Sequence, residues 1–252
     1  MKKEKRIYDG QSNADLRFDN FVAGKANQFA IDAARDFAEL HNDHHGLLLI
    51  YGERGSGKSH LSHAIANLAR ELKPRSRISI CHALEFVENV EQAYKTQDIA
   101  QFRRFYHSLD LLIIDSINCL DNQARAQEEL IYKLDSLLAT HKRVVLTINV
   151  LPENMAGMGI NKKLVSWFSG GLFVTLEPPE LELRIAILNQ EAKQDEYVLD
   201  DGIALFIAKR INSDIRQLKV ALKQVTAHET FYRCKLTVET IREAMCGFWG
   251  RE

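Results

Sequence analysis

The octapeptide Gly52-Glu53-Arg54-Gly55-Ser56-Gly57-Lys58-Ser59 is the part of this chain best equipped for chemistry. It fits the phosphate-cradling pattern G-x-x-x-x-G-K-[ST] at every fixed position. Glycines let such a loop fold with its backbone N–H groups turned inward toward phosphate oxygens. Lys58 supplies a mobile point charge for the outer phosphates. The Ser59 hydroxyl is a small oxygen ligand that suits Mg²⁺. A loop of this kind needs an acid at the end of a neighbouring strand, and Asp115 closes the run Asp110-Leu111-Leu112-Ile113-Ile114-Asp115. Ser116 stands where many P-loop ATPases carry a second acid that polarises the attacking water. A hydroxyl cannot accept that proton at neutral pH, so impaired hydrolysis is expected. Asn149 ends the strand after Arg143 to Thr147, where it could reach the γ-phosphate or the water, or simply cap the strand.

These residues need a scaffold, and the flanking pattern supplies one. Gly46 to Tyr51 reads as a buried strand and His60 to Leu72 as a helix, the context in which the loop becomes a phosphate site. The helix would add the positive end of its dipole. Arg77 to His82, Asp110 to Asp115, Arg143 to Thr147 and Gly171 to Leu176 are further candidate strands. Helical spacing of apolar residues marks Asn27 to Leu40, Glu85 to Thr96, Ile99 to Tyr106 and Gln123 to Thr140. Five apolar strands alternating with helices predict an α/β fold with a parallel sheet covered on both faces. Residues 1 to about 20 read as an extended polar arm. After Pro178-Pro179 the chain reads as all-helical, at about 180–195, 200–211, 213–230 and 237–247, with Thr237 capping the last. The expected division is an α/β nucleotide-binding core with its arm over 1–177 and a small helical domain over 178–252.

Composition limits the function. The 252 residues carry a formal net charge of −1, so any nucleic-acid contact must come from a local patch rather than from bulk charge. Cys81, Cys119, Cys234 and Cys246 form no C-x-x-C pair and read as reduced thiols of a cytoplasmic protein. The charged start has no apolar stretch behind it, and no apolar run reaches membrane-spanning length. His41, His44 and His45 read as a solvated loop rather than a metal site. Phe248 and Trp249 read as packing or a partner contact.

The chain resembles one family closely, the DnaA/Hda-type AAA+ proteins, typified by the AAA+ domain of the bacterial replication initiator. The likeness starts at Phe18-Asp19-Asn20-Phe21-Val22-Ala23-Gly24 and runs through Gly57-Lys58-Ser59-His60-Leu61, Phe102 to Asp115 and Gln127-Glu128-Glu129-Leu130. It continues through Val145-Leu146-Thr147 and Glu177-Pro178-Pro179-Glu180-Leu181-Glu182 to Asp214-Ile215-Arg216-Gln217-Leu218. The resemblance implies a five-stranded AAA+ core with a helical lid, binding ATP or ADP with Mg²⁺. On it, Gly52 to Ser59, His60 and the sensor arginine Arg216 contact nucleotide, Ser59 and Asp115 hold the metal, and Asp115 and Asn149 serve hydrolysis. Phe86 to Tyr106 matches the helical insertion of initiator-type members. There Lys95, Arg103 and Arg104 could serve single-stranded DNA or subunit contact, or form only a solvated basic face.

The departures from the family pattern matter as much. The second acid is replaced by Ser116 and the acid usual at the sensor position by Asn149. Trp167 replaces the arginine finger that reads a neighbour's ATP, leaving Lys163 as the nearby cation. Tryptophan cannot stabilise developing phosphate charge, and lysine lacks the guanidinium fork. No duplex-DNA-binding domain is expected in the chain. The implied function is an ATP- or ADP-binding protein of replication initiation or its regulation, slow in hydrolysis, acting on other AAA+ subunits (a DnaA-like initiator or its own copies). The alternatives are a helicase-loader or transposition-type ATPase assembling on single-stranded DNA, an excised initiator core, and a non-catalytic scaffold.

Overall fold

The computed structural model describes residues 10–40, 46–155, 157–212, 214–233, 237, 240 and 241. Ten helices and five strands are defined among them. They run α1 (Gln28–Ala38), β1 (Leu47–Gly52), α2 (Lys58–Leu72), β2 (Ile78–His82), α3 (Ala83–Lys95), α4 (Ile99–His107), β3 (Leu111–Asp115), α5 (Ala124–Ala139) and β4 (Arg143–Ile148). Then come α6 (Pro152–Met155), α7 (Lys162–Ser169), β5 (Leu172–Leu176), α8 (Leu181–Gln194), α9 (Asp201–Arg210) and α10 (Ile215–Tyr232). The histidine cluster at 41–45, Cys234, Cys246, Phe248, Trp249 and most of the expected final helix lie outside the described residues. None of the described helices is long and apolar enough to cross a membrane.

The chain divides into two compact units. The first holds the sheet: residues up to Phe21, Gln28–Gly52 and Gly57–Leu176. All neighbouring strands are parallel, in the order β2-β3-β4-β1-β5. Strands buried on both faces lack polar alternation, which is why β1, β3 and β4 read as apolar runs. One face packs on Phe86, Phe102, Tyr106, Leu130, Leu134 and Phe168. The other packs on Ala34, Phe37, Leu61, Ile65 and Phe18. The second unit comprises Val22–Asn27, Glu53–Ser56 and Glu177 onward. Its core joins Leu188, Ile203, Ile207, Leu218, Leu222 and Val225 of α8, α9 and α10. Asp200 caps α9 by accepting from the Gly202 and Ile203 amides, and Asp214 caps α10 by accepting from the Arg216 amide.

The stretch expected as an extended arm is instead docked over its described part. Ser12 donates to Asn67, and Arg70 donates to Ser12 and, at 3.1 Å, to the Ile78 carbonyl. The Asn13 amide donates to His63 Nδ1 at 3.2 Å, and burial lowers the His63 pKa, which keeps that nitrogen an acceptor. Arg17 pairs with Glu71 at 2.6 Å, and a 3₁₀ turn at Phe18–Asn20 buries Phe18. The segment is polar because α2 holds it largely by hydrogen bonds. A second 3₁₀ turn, Ile117–Leu120, and the helices α6 and α7 were likewise not anticipated.

Candidate nucleotide-binding site

Sheet register brings the first half of the site together. Ile114 pairs with Leu146 and Tyr51 with Ile148, so the chain leaves β1, β3 and β4 at one end of the sheet. Gly52, Asp115, Thr147 and Asn149 therefore meet at the carboxyl ends of three adjacent strands. Ser59, in the first turn of α2, donates from Oγ to Asp115 Oδ2 at 2.6 Å. Thr147 donates from Oγ1 to the other carboxylate oxygen, Oδ1. The same threonine oxygen accepts the Ser116 amide at 2.7 Å. Both carboxylate oxygens are thus oriented, and a serine hydroxyl lies against one of them. Two hard oxygen groups in this relation fit a Mg²⁺ that keeps several of its waters.

Lys58 is buried, and its Nζ donates to the Gly52 carbonyl at 2.7 Å, folding the ammonium back over the loop. Gly57 has φ 101°, a left-handed conformation that glycine adopts without strain, and a Cβ there would lie 3.2 Å from the Phe21 ring. The Asn149 Oδ1 is buried with no hydrogen-bond partner among the described residues. An orphaned acceptor of this kind at the strand ends has room for the donor of a water or a ligand. Ser116 has φ 63°, and its side chain is the hydroxyl the sequence shows, so Asp115 is the only carboxylate of that dipeptide.

His60 was expected at the nucleotide. Its Nε2 faces two acceptors, the Arg17 carbonyl at 2.9 Å and Asn20 Oδ1 at 3.0 Å, so that nitrogen carries the proton. Its ring meets Phe21 edge-on, with centroids 5.0 Å apart. The histidine ties α2 to the docked segment through its side chain.

The loop residues Glu53–Ser56 group with the helical unit. The Ile215 amide donates to the Gly55 carbonyl at 3.1 Å. Gly55 has φ 80°, and a Cβ there would fall 1.9 Å from Asp214 Oδ1. The loop therefore rests on the first turn of α10, the helix that carries Arg216. The Arg216 side chain is exposed, while its amide is bonded to Asp214 at 2.8 Å. Arg54 and Glu53 are exposed, and the Ser56 Oγ is buried and unpaired among the described residues.

The other expected contacts divide by environment. Arg103 grips Glu129 with two bonds, Nη2 to Oε1 at 2.6 Å and Nε to Oε2 at 3.1 Å, and the Glu129 side chain is only 3% exposed. Burial pushes the Glu129 carboxyl up, but Arg103 and Tyr94 outweigh it and hold it below its ordinary value. Lys95 makes an exposed pair with Glu91 at 3.5 Å. Arg104 is exposed with no partner among the described residues. Lys163 pairs with Asp135 at 3.0 Å, and Trp167 lies partly buried against the sheet's core. Thr147, Asp214 and Phe21 were missing from the expected set. Thr147 reads as an ordinary β-branched strand residue, whereas Asp214 before Ile215-Arg216 carried the signal of a helix cap.

Comparison with known proteins supplies the family. Residues 12–175 match the model described as the bacterial DnaA ATPase domain. The chromosomal replication initiator protein DnaA of Ralstonia pickettii is 41% identical over 233 residues, covering 92% of this chain and 44% of that protein. The chain thus spans less than half the length of such relatives. Domain III of the Thermotoga maritima replication initiation protein DnaA superposes with a TM-score of 0.87 at 26% identity, covering 94% of this chain and 98% of that one. DnaA from Aquifex aeolicus, solved bound to AMPPCP, gives a TM-score of 0.79 at 25% identity over 88% of this chain and 69% of its own. With the parallel sheet in the order β2-β3-β4-β1-β5, the glycine loop on β1 and Asp115 on β3, the chain belongs to the bacterial DnaA ATPase domain family and has an AAA+ fold.

Proposed function

We propose that this chain is a nucleotide-binding AAA+ module of replication initiation or its regulation, which holds ATP or ADP with Mg²⁺ and turns ATP over slowly. The Ser59–Asp115 contact at 2.6 Å carries the reading, because a hydroxyl and a carboxylate this close together suit the metal of a bound nucleotide. Ser59 and Asp115 would hold the magnesium, whose charge would offset that of the phosphates. The loop amides and Lys58 would bind the phosphates, and Arg216 would supply a further cation from α10. The Aquifex aeolicus relative, bound to an ATP analogue, supports this assignment.

Slow hydrolysis follows from what the protein offers the attacking water. Ser116 is no base at neutral pH, Asn149 presents an uncharged oxygen, and Trp167 gives a neighbouring subunit no guanidinium. The module would then act by docking on other AAA+ subunits, a DnaA-like initiator or its own copies, with nucleotide setting the docking state. A second reading, an ATPase assembling on single-stranded DNA, is favoured by one observation. Tyr94 and Tyr132 are exposed and lie under Arg125 and Arg103, at 5.5 and 5.1 Å, a combination that suits stacked bases.

Thermal unfolding with Mg-ATP or Mg-ADP tests the assignment. Ligand at about 100 times its dissociation constant should add about 2.7 kcal/mol to the stability of the parent chain, and nothing to Lys58→Ala. A parent chain whose midpoint ignores both nucleotides would overturn it.

A further inference from the structure

We propose that the hollow between the C-terminal end of α2, the start of β2 and the end of α4 is a second binding site, for the phosphate groups of a nucleotide or of a nucleic-acid strand. It encloses about 640 Å³, a volume in the range of small-ligand sites. It lies at the amino ends of the strands, whereas Gly52 and Asp115 lie at the carboxyl ends. Ligand sites of open α/β sheets belong at the carboxyl ends, so this hollow is separate from the glycine loop.

Its described lining is basic. Arg70, Arg75 and Arg77 contribute to it, with Gln11, Ser12 and Ser76, and none of the described lining residues is acidic. In a chain of net charge −1, that is a local arrangement and not bulk basicity. Arg70, in the last turn of α2, is held by Ser12 and the Ile78 carbonyl and forms a fixed wall. Lys73 to Ser76 make a tight turn, closed by the Ser76 amide on the Lys73 carbonyl at 2.9 Å, which carries the exposed Arg75. Arg77 rises from a clamped backbone. Its amide donates to Asp110 Oδ2 at 2.8 Å, and its carbonyl accepts the Asp110 amide at 2.8 Å. Neither Arg75 nor Arg77 makes a side-chain ion pair among the described residues, and the Asp110 carboxylate, whose charge Arg77 feels, is paired with Lys142. Phe105, Leu109 and Ile78 form an apolar wall that a base or sugar could cover. Guanidinium forks on rigid supports beside an aromatic ring match phosphate attached to a flat ring system.

Two probes test this on the whole chain with one equivalent of Mg-ADP, enough to fill the glycine loop without flooding the hollow: inorganic pyrophosphate by calorimetry and fluorescein-labelled oligo-dT by anisotropy. Arg75→Ala/Arg77→Ala removes two exposed side chains, and an unchanged melting midpoint would show that the fold survives. At least one probe should bind the parent and lose tenfold or more in affinity in the double variant. The same loss in a Lys58→Ala background separates this hollow from the glycine loop, whatever the loop binds. Pyrophosphate responding identifies a free phosphorylated ligand, and oligo-dT alone responding identifies a strand backbone. Failure of both probes to bind the parent, or affinities within twofold between parent and double variant, overturns the proposal.

Discussion

Thr147 donates from its hydroxyl to one oxygen of Asp115 and accepts the Ser116 amide at 2.7 Å on that same hydroxyl oxygen. It therefore fixes the acid and the residue after it in one step, from a side chain with no exposure. Thr147→Val keeps the shape but strands the Ser116 N–H and frees the carboxylate. A half-buried amide left unpaired should cost about 1 kcal/mol in urea unfolding, the low end for an unsatisfied donor. The Mg²⁺ dependence of nucleotide affinity should weaken with it, and Thr147→Ser should restore both. Unfolding and nucleotide titrations at two Mg²⁺ concentrations would check this, and a Val variant equal to the parent in both would refute it.

Ser116 gives a gain-of-function test. Its φ of 63° lies in the left-handed region, which aspartate tolerates better than most residues. Ser116→Asp places a carboxylate after Asp115 without asking the backbone to move. If the missing base limits turnover, phosphate release should rise by about 10²-fold, the low end for an added general base. Trp167→Arg is the companion change, and it should act only where subunits meet, so its effect should grow with protein concentration. An unchanged rate in both variants and in their combination would show that hydrolysis is limited elsewhere.

Arg103 and Arg104 are adjacent but should behave differently. Arg103 holds a buried carboxylate, and its own side chain is 44% exposed. Arg103→Ala should cost about 2–3 kcal/mol, less than the full price of breaking a wholly buried pair because water reaches the arginine side. Arg104→Ala should leave stability within about 0.5 kcal/mol. If the insertion meets single-stranded DNA, Arg104→Ala should weaken binding and lower its salt dependence by about one released counterion. Urea titrations and anisotropy at several salt concentrations separate the two effects, and equal stabilities for both variants would contradict this division.

Much of the fold was legible because buried parallel strands and amphipathic helices leave strong patterns. Leu47 to Ile50 and Leu111 to Ile114 are unbroken apolar runs, and they became central strands. The glycine loop and Asp115 were legible because their chemistry permits few substitutes. The docking of residues 10–20 was not, since Ser12, Asn13 and Arg17 hold it by hydrogen bonds that hydrophobic periodicity does not register. Helix α7 was missed although Asn161 caps it and Leu164 and Phe168, four apart, bury its inner face. At eight residues its pattern is too short to stand out. Thr147 was passed over because a threonine inside an apolar strand looks like a strand former, and only register sets it against Asp115.

Lys133 gives the pH prediction. It has no exposure, its Nζ donates to the Arg103 carbonyl at 3.0 Å, and the rings of Phe102 and Tyr132 lie 5.8 and 5.1 Å away. Glu129, itself gripped by Arg103 and by the Tyr94 hydroxyl, and the Arg103 guanidinium are the charges that act on it. Burial lowers its pKa from 10.5 to about 8, with Glu129 opposing and Arg103 assisting. The folded value is the lower one, so between about pH 8 and 10.5 the unfolded chain binds the proton that the folded chain has released. Stability must then rise with pH across that window, and the penalty is fully present below about pH 8. Lys133→Met removes the titrating group while keeping most of its volume. The variant's advantage over the parent should be largest near pH 7 and shrink between pH 8 and 10.5, as followed by urea midpoints across that range. A difference that does not change with pH would mean that Lys133 keeps its proton throughout, with Glu129 supplying enough stabilisation to offset its burial.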